Sequence, residues 1–355
     1  MTYVIMARNF PPDHGGIQSA MRGLARRLAG DAPVIVLGST PFDAAAEPFD
    51  FIAAQGGRFR ERHAARRLLK TRLQGETPIF ICDNWHAVKA VPMGNHPIVV
   101  LAHGSEYRRP RAARLARAAA RTTHLIANSA DTFELVAAQI DLAAIPSTII
   151  PPTYDLPEDI AAPRPKAPDA PYQLVSICRL EPHKGLRKAL DVLAARRADL
   201  PDFVWHIAGG GSQKAELRQA AEGFGDKIIF HEPIDEPRKD DLLQQADLFV
   251  MPSYGDVRWH EGFGISYIEA ARHGVPAIAG ASRGIRDAVR DGKTGWCVDA
   301  QDPDVLFAAL HAALTDDALR QKLGRNAQAA YKARFAGDIV AERFRAHIRG
   351  NAPPA

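Results

Sequence analysis

The feature that most restricts this chain is an alternation that runs its length twice. Short apolar runs are separated by longer segments that are apolar at every third or fourth position. That rhythm is the mark of βαβ units, in which parallel strands buried on both faces are covered by crossover helices. In the first pass, strands are expected at Tyr3–Ala7, Val34–Leu37, Ile79–Cys82, Ile98–Leu101, Leu125–Ala127 and Thr148–Ile150. Helices fall between them at Ile17–Leu28, Arg60–Arg72, Arg111–Arg121 and Asp131–Ile140. A stretch from Pro151 to Pro171, rich in proline and poor in periodicity, interrupts the rhythm as a linker would.

The second pass places strands at Gln173–Ile177, Phe203–Ala208, Ile228–Phe230, Leu248–Met251 and Ala277–Ala279. Its helices are expected at Leu186–Ala195, Gln213–Ala221, Arg238–Gln245, Ile265–Arg272 and Val305–Leu314, followed by Asp317–Arg334 and Gly337–Arg349. At 355 residues two domains are the natural expectation. The reading is α/β, with two Rossmann-like doubly wound domains over 1–155 and 172–335, a linker at 156–171, and a last helix near 336–350 packing back on the first domain. Ligands in such sheets bind outside the carboxyl ends of the strands, so the active site is expected in a cleft where the two domains face each other.

Composition limits the function classes. The chain is 46% hydrophobic and 24% charged, and no apolar run approaches the ~20 residues of a membrane helix. The start, Thr2-Tyr3-Val4-Ile5-Met6-Ala7, reads as a strand and not as a secretory leader, which favours the cytoplasm. Cys82, Cys178 and Cys297 are far apart and odd in number, so they read as buried thiols, with neither a disulfide framework nor a zinc site indicated.

Charge is unevenly spread. Residues 1–150 hold 18 Lys and Arg against 12 Asp and Glu, while the remainder holds 27 against 29. The surplus gathers in two helical stretches, Arg58–Arg72 and Arg108–Arg121. Either these are solvated helix faces or they form a patch for anionic lipid headgroups or an anionic acceptor. No aromatic platform accompanies them, so nucleic acid is not expected as a partner.

Several strand ends carry residues suited to anions. Asn9-Phe10-Pro11-Pro12-Asp13-His14-Gly15-Gly16-Ile17 opens the first helix, where paired glycines let backbone N–H groups approach a ligand. The same glycines also suit a plain strand-to-helix turn, and the pattern is not the dinucleotide fingerprint G-x-G-x-x-G. Ser176 to Gly185 brings Arg179 and Lys184 to the start of another helix, either as a diphosphate clamp or as two solvated cations. Gly209, Gly210 and Gly211 end the next strand, with Ser212 as the expected helix cap. His103 ends a strand of the first domain. The pair Asp302-Pro303-Asp304 reads as a helix cap more readily than as a Mg²⁺ site, and no histidines have metal-ligand spacing.

Gly15-Gly16, His103-Gly104, Arg179 to Lys184-Gly185, Gly209–Gly211, Pro252-Ser253, Glu261-Gly262-Phe263-Gly264 to Glu269-Ala270, Gly274-Val275-Pro276 and Asp291 to Gly295 occur in one order. Together they resemble glycosyltransferase family 4, retaining enzymes of GT-B fold that include bacterial hexosyl- and mannosyltransferases. The resemblance is dense from Leu174 to about Val298 and thinner before it. It implies metal-independent transfer of a hexose from a nucleoside diphosphate sugar to an acceptor hydroxyl, without a further cofactor. By it, Arg179 and Lys184 hold the diphosphate and Gly15-Gly16 supplies backbone contact. Glu261 takes the donor-sugar hydroxyls, Phe263, Gly264 and Ile265 line sugar and phosphate, Glu269 takes the ribose, and His103 lies near the transferred sugar. The runs around Phe10 and Glu261 look like enzymes that use GDP-mannose on phosphoinositides or polysaccharide intermediates, so the acceptor is expected to be a lipid-linked or cell-envelope saccharide, with the protein in the cytoplasm at the inner face of the membrane.

Two departures stand out. Pro152-Thr153 replaces an Asn-Gly usual near the end of the linker strand, and Asp287 stands where glutamate is common. A GT-B epimerase or phosphorylase, or a non-catalytic nucleotide-sugar-binding protein, would share some of these motifs. A wholly helical rise over the eight steps from Glu261 to Glu269 would be ~12 Å. That exceeds the ~5–9.5 Å between paired glycosidase carboxyls, so the two glutamates are not expected to act as an acid–base couple.

Overall fold

A computed structural model of the chain describes residues 1–13, 15–54, 58–108, 111–157, 170–255 and 261–350. It divides into two compact units, one comprising Met1–Glu158 with Phe335–Ala355 and the other Asp159–Arg334. Most of the expected linker, residues 158–169, lies outside the described residues, as do His14, Arg109 and Arg258-Trp259-His260.

The first unit contains β1 (Tyr3–Ala7), α1 (Gly16–Ala29), β2 (Val34–Gly38), β3 (Asp50–Ala53), α2 (Arg58–Thr71), β4 (Ile79–Cys82), β5 (Ile98–Ala102), α3 (Ala112–Ala119), β6 (His124–Ala127), α4 (Ala130–Ala137) and β7 (Ser147–Ile149). Its strands form one parallel sheet in the order β3-β2-β1-β4-β5-β6-β7. Side chains of β1 alternate between two cores. Val4 and Met6 pack with α2, α3 and α4, and Tyr3, Ile5 and Ala7 pack with α1. Burial on both faces is why these strands read as unbroken apolar runs.

The second unit contains β8 (Tyr172–Ile177), α5 (Leu186–Ala195), β9 (Phe203–Ala208), α6 (Lys214–Ala221), β10 (Ile228–His231), α7 (Glu236–Gln245), β11 (Leu248–Met251), α8 (Ile265–Arg272), β12 (Ala277–Gly280), β13 (Gly295–Val298), α9 (Pro303–Thr315) and α10 (Asp317–Arg334). Its parallel sheet has the order β10-β9-β8-β11-β12-β13. In each unit the strand order reverses beside the first strand, between β1 and β4 and between β8 and β11. Those reversals are where doubly wound sheets bind ligands.

The last helix, α11 (Gly337–Ile348), belongs to the first unit. Val340, Ala341 and Phe344 enter the core shared with α1, and the Phe344 ring meets Tyr154 edge-on at 6.2 Å. Thr153, at one of the departures from the family pattern, donates its hydroxyl to the Phe335 carbonyl at 2.6 Å.

Two expectations need correction. Strands β3 and β13 add to those expected from the apolar runs. Both are short sheet edges, and the partly exposed β3 lacks the continuous apolar run of a central strand. Of the three cysteines only Cys82 is buried; Cys178 follows the end of β8 and Cys297 sits on the edge strand β13, which leaves both half-buried. Among the described residues no helix is long and apolar enough to cross a membrane.

Candidate active site

The reversal between β8 and β11 gathers most of the residues singled out in the second unit. The chain leaves β8 through Arg179 and Leu180, turns once at Pro182–Lys184 and enters α5 through Gly185. Gly185 has φ +75°, and a Cβ there would lie 2.1 Å from the Pro252 carbonyl oxygen. Only glycine lets this turn close against the end of β11. Lys184 is thereby buried, and its Nζ donates to Oε2 of Glu261. The side chains are 10% and 17% exposed. At such burial, removing one charge strands the other in a low dielectric. Arg179 is exposed and has no partner among the described residues.

Glu181 pins the adjoining loop. It accepts from Ser212 N at 3.2 Å and Ser212 Oγ at 2.6 Å, and those bonds hold its carboxyl below the usual range. Ser212 is therefore not the expected cap of α6. Its side chain is spent on Glu181, and Gln213 occupies the cap position without a side-chain bond. Gly209, at φ +139°, brings the ends of β8 and β9 together, since a Cβ there would meet the Cys178 carbonyl oxygen at 2.0 Å. Gly210 and Gly211 continue this loop.

After the Glu261 turn, Phe263 is buried and Gly264, in a left-handed conformation, opens α8 with Ile265 as its first residue. Tyr267 anchors the helix by donating to the Met251 carbonyl at 2.6 Å. Glu269, one turn in, meets Nζ of Lys239 at 2.5 Å. Each glutamate thus has its own lysine, and the two share no partner among the described residues.

Three helix starts are closed by side-chain caps. α4, α7 and α9 are capped by Ser129, Asp235 and Asp302. Asp302 accepts from the N–H groups of Asp304 and Val305, which settles that pair as a cap. By contrast α1, α5 and α8, which begin beside Gly15, Gly185 and Gly264, have neither a side-chain cap nor an acidic residue in the first turn, a condition they share with α3. First-turn N–H groups without a side-chain cap, at the positive end of the helix dipole, suit an anion.

In the first unit the reversal lies between β1 and β4. Asp83, directly after β4, is wholly buried. One of its oxygens accepts from the N–H groups of Arg8 and Asn9, both at 2.8 Å, and from Asn9 Nδ2 at 3.0 Å. The other accepts from Asn84 Nδ2 at 2.9 Å. Burial pushes this carboxyl up to about 6, against the pull of the Asn9 and Arg8 donors. Arg8 also pairs with the buried Glu61 of α2 at 2.8 Å. Phe10 sits among Phe42, Phe49 and Phe51. The loop leading to Gly15 and Gly16 is therefore fixed at its root.

His103 follows β5. Both its ring nitrogens are buried, and neither makes a well-formed hydrogen bond to the described residues, the Asp83 backbone offering only a weak contact. Burial lowers its pKa, against weaker opposing pulls from Glu106 and the Asp83 backbone, so the ring is neutral at pH 7. Asp83, Glu181 and Lys239 were not singled out in the sequence. The available signal for Asp83 was a carboxylate set immediately at the carboxyl end of an apolar strand. Among the described residues, no cluster of three or more His, Cys, Asp or Glu is arranged to hold a metal ion.

Residues 158–330 match the family model described as glycosyl transferases group 1. Over 352 residues the chain is 31% identical to the GDP-mannose-dependent alpha-(1-6)-phosphatidylinositol monomannoside mannosyltransferase of Mycolicibacterium smegmatis, spanning 88% of this chain and 89% of that protein. The chain belongs to the group 1 glycosyltransferases, the family 4 type. A second relative, the GDP-mannose-dependent monoacylated alpha-(1-6)-phosphatidylinositol monomannoside mannosyltransferase of Corynebacterium glutamicum, is 35% identical over 196 residues, 53% of this chain and 50% of that one. Among solved structures, Anabaena HepE in complex with UDP matches with a TM-score of 0.79 at 16% identity, covering 99% of this glycosyltransferase and all of HepE. The fold is GT-B, as the order of motifs implied.

Proposed function

We propose that this glycosyltransferase moves a hexose, mannose foremost, from a nucleoside diphosphate sugar to an acceptor hydroxyl with retention of anomeric configuration and without a metal. The observation that carries the reading is the Lys184–Glu261 pair beside the start of α5, which has no side-chain cap, with Arg179 exposed and without a hydrogen-bond or ion-pair partner among the described residues. A diphosphate suits that cationic, amide-rich corner. Arg179 and Lys184 take the phosphates, Glu261 the sugar hydroxyls, the amides from Phe263 to Ile265 the sugar and phosphate, and Glu269 the ribose. Gly209 to Gly211 allow close backbone approach. By the family resemblance alone, Gly15 and Gly16 are assigned to backbone contact with a diphosphate and neutral His103 to the transferred sugar.

In a front-face substitution the bond from the anomeric carbon to the phosphate oxygen breaks as the bond to the acceptor oxygen forms. The acceptor proton passes to the leaving phosphate oxygen. Catalysis is then electrostatic, with Arg179 and Lys184 stabilising charge that grows on the diphosphate.

The acceptor we favour is a phosphatidylinositol-type or other lipid-linked saccharide, the class on which the Mycolicibacterium relative acts by its name. On α2, Phe59 is 90% exposed and Arg60, Arg66, Arg67 and Lys70 are exposed, as are Arg111, Arg114 and Arg117 at α3. Such a face suits anionic headgroups at the inner side of a membrane. Incubating the protein with GDP-mannose, UDP-glucose or ADP-glucose and vesicles containing phosphatidylinositol tests the reading. The expected product is an α-linked glycolipid from an α-configured donor, with vesicle binding weakened by salt. A β-linked product would overturn retention, and release of free sugar alone would overturn transfer.

A further inference from the structure

Glu269 is held by a side chain of a neighbouring helix. Its Oε1 lies 2.5 Å from Nζ of Lys239, which also reaches Oε2 of Glu236 at 2.6 Å. Lys239 and Glu269 are 13% and 14% exposed, whereas Glu236 is largely in solvent. Burial pulls the Lys239 ammonium down, but the charges of Glu269 and Glu236 outweigh it and carry its pKa upward, so it stays cationic.

The backbone that carries Lys239 is itself fixed. Asp235 caps α7 by accepting from the Arg238 N–H at 3.0 Å, and Pro237 stiffens the first turn. The next residue, Asp240, takes Nη1 of Arg272 at 2.8 Å and Nε2 of His273 at 3.2 Å from the far end of α8. Two charge clusters on successive residues therefore clamp α7 to α8, and only the first of them touches a residue assigned to the donor. Glutamate has three side-chain torsions and loses rotamer freedom when held in one place. The pairing with Lys239 makes that loss part of folding, so it is not charged to binding. Oε2 of Glu269 has no hydrogen-bond partner among the described residues.

We infer that Lys239 is a positioning residue that holds one carboxylate oxygen of Glu269 so that the other accepts from the ribose hydroxyls of the nucleoside diphosphate. The inference rests on the assignment of Glu269 to the ribose. The order of the motifs does not point to Lys239; the juxtaposition of α7 and α8 does.

Calorimetric titration of the full chain with GDP, UDP and ADP, each alongside its 2′,3′-dideoxy form, tests it. One charged hydrogen bond corresponds to about tenfold or more in affinity, so the parent is expected to prefer the ribose form by at least that factor. Glu269→Gln abolishes the preference. Lys239→Met reduces it to about threefold or less and leaves the dideoxy affinity nearly unchanged, because only the ribose contact depends on the lysine. If Lys239→Met keeps the parent's preference, or weakens both ligand forms alike as a merely structural residue would, the inference is wrong. If Glu269→Gln keeps the preference, the assignment of Glu269 has failed instead. Should Lys239→Met not fold, Lys239→Gln, which keeps a donor but no charge, carries the same expectation.

Discussion

Replacing Asp83 by asparagine separates local from global effects at the root of the Gly15-Gly16 loop. Four donors face the two carboxylate oxygens, three on one and one on the other. An amide turns one acceptor into a donor, so whichever way it lies it opposes at least one N–H. A buried N–H left facing the amide's own donor costs about 1–3 kcal/mol, and that is the destabilising side. On the other side, burial raises this carboxyl from 3.8 to about 6, and at about 1.4 kcal/mol per pH unit the neutral amide relieves roughly 3 kcal/mol of charge burial. The two terms nearly cancel. The melting temperature is therefore expected to move by no more than about 4 °C. Amide exchange at Arg8 and Asn9, read by mass spectrometry on a peptide covering residues 4–13, is expected to accelerate at least about tenfold as the local opening cost falls. Parent-like exchange in that peptide would refute the role of Asp83. A collapse in melting temperature would refute the balance of the two terms. Acid acts on the parent in the same local way, because protonation near pH 6 also removes an acceptor. Its global sign is opposite: with the folded pKa above the unfolded one, this group's contribution to stability rises as pH falls from about 6 toward 3.8.

Gly185→Ala forces a Cβ against the Pro252 carbonyl at a positive φ, so Lys184 must shift. A stability loss of about 2 kcal/mol or more and a fall in transfer of over tenfold are expected, and unchanged denaturant midpoints and rates would contradict this. Burial lowers the pKa of His96, His103, His124, His183, His206, His231, His273 and His347, with His206 brought to about 4. A depressed histidine contributes stability that is complete above its unfolded pKa of 6.5 and is lost as pH falls through the folded value. Stability by urea titration should accordingly drop between pH 7 and pH 4.5, and a flat or rising curve would show that these rings are not held neutral.

The central strands were legible because burial on both faces leaves an unbroken apolar run, as in Tyr3–Ala7 and Leu248–Met251. The edges β3 and β13 were not, since an edge is protected by being short or partly exposed and its residues then look like loop. At the site, the legible residues were those whose type announces a local demand. Gly185 and Gly209 mark close backbone approach, and Lys184 and Glu261 mark charge beside glycine turns. Lys239 and Asp83 were illegible for the opposite reason. Their importance lies in partners 30 and 74 residues away, and no local pattern records which helix or loop will be packed against them. Ser212 shows the converse error, where a plausible local cap is overridden by Glu181, a partner 31 residues earlier.

The most direct test of the account is the transfer rate of Lys184→Ala and Glu261→Ala, measured as kcat/KM with the preferred donor and a lipid acceptor, on variants confirmed to be folded. Each is expected to lose about 10²–10³-fold, the cost of removing one preorganised electrostatic contact to the reacting groups. Rates within about threefold of the parent would mean that the diphosphate and sugar are held elsewhere, since a contact of that kind cannot be removed so cheaply.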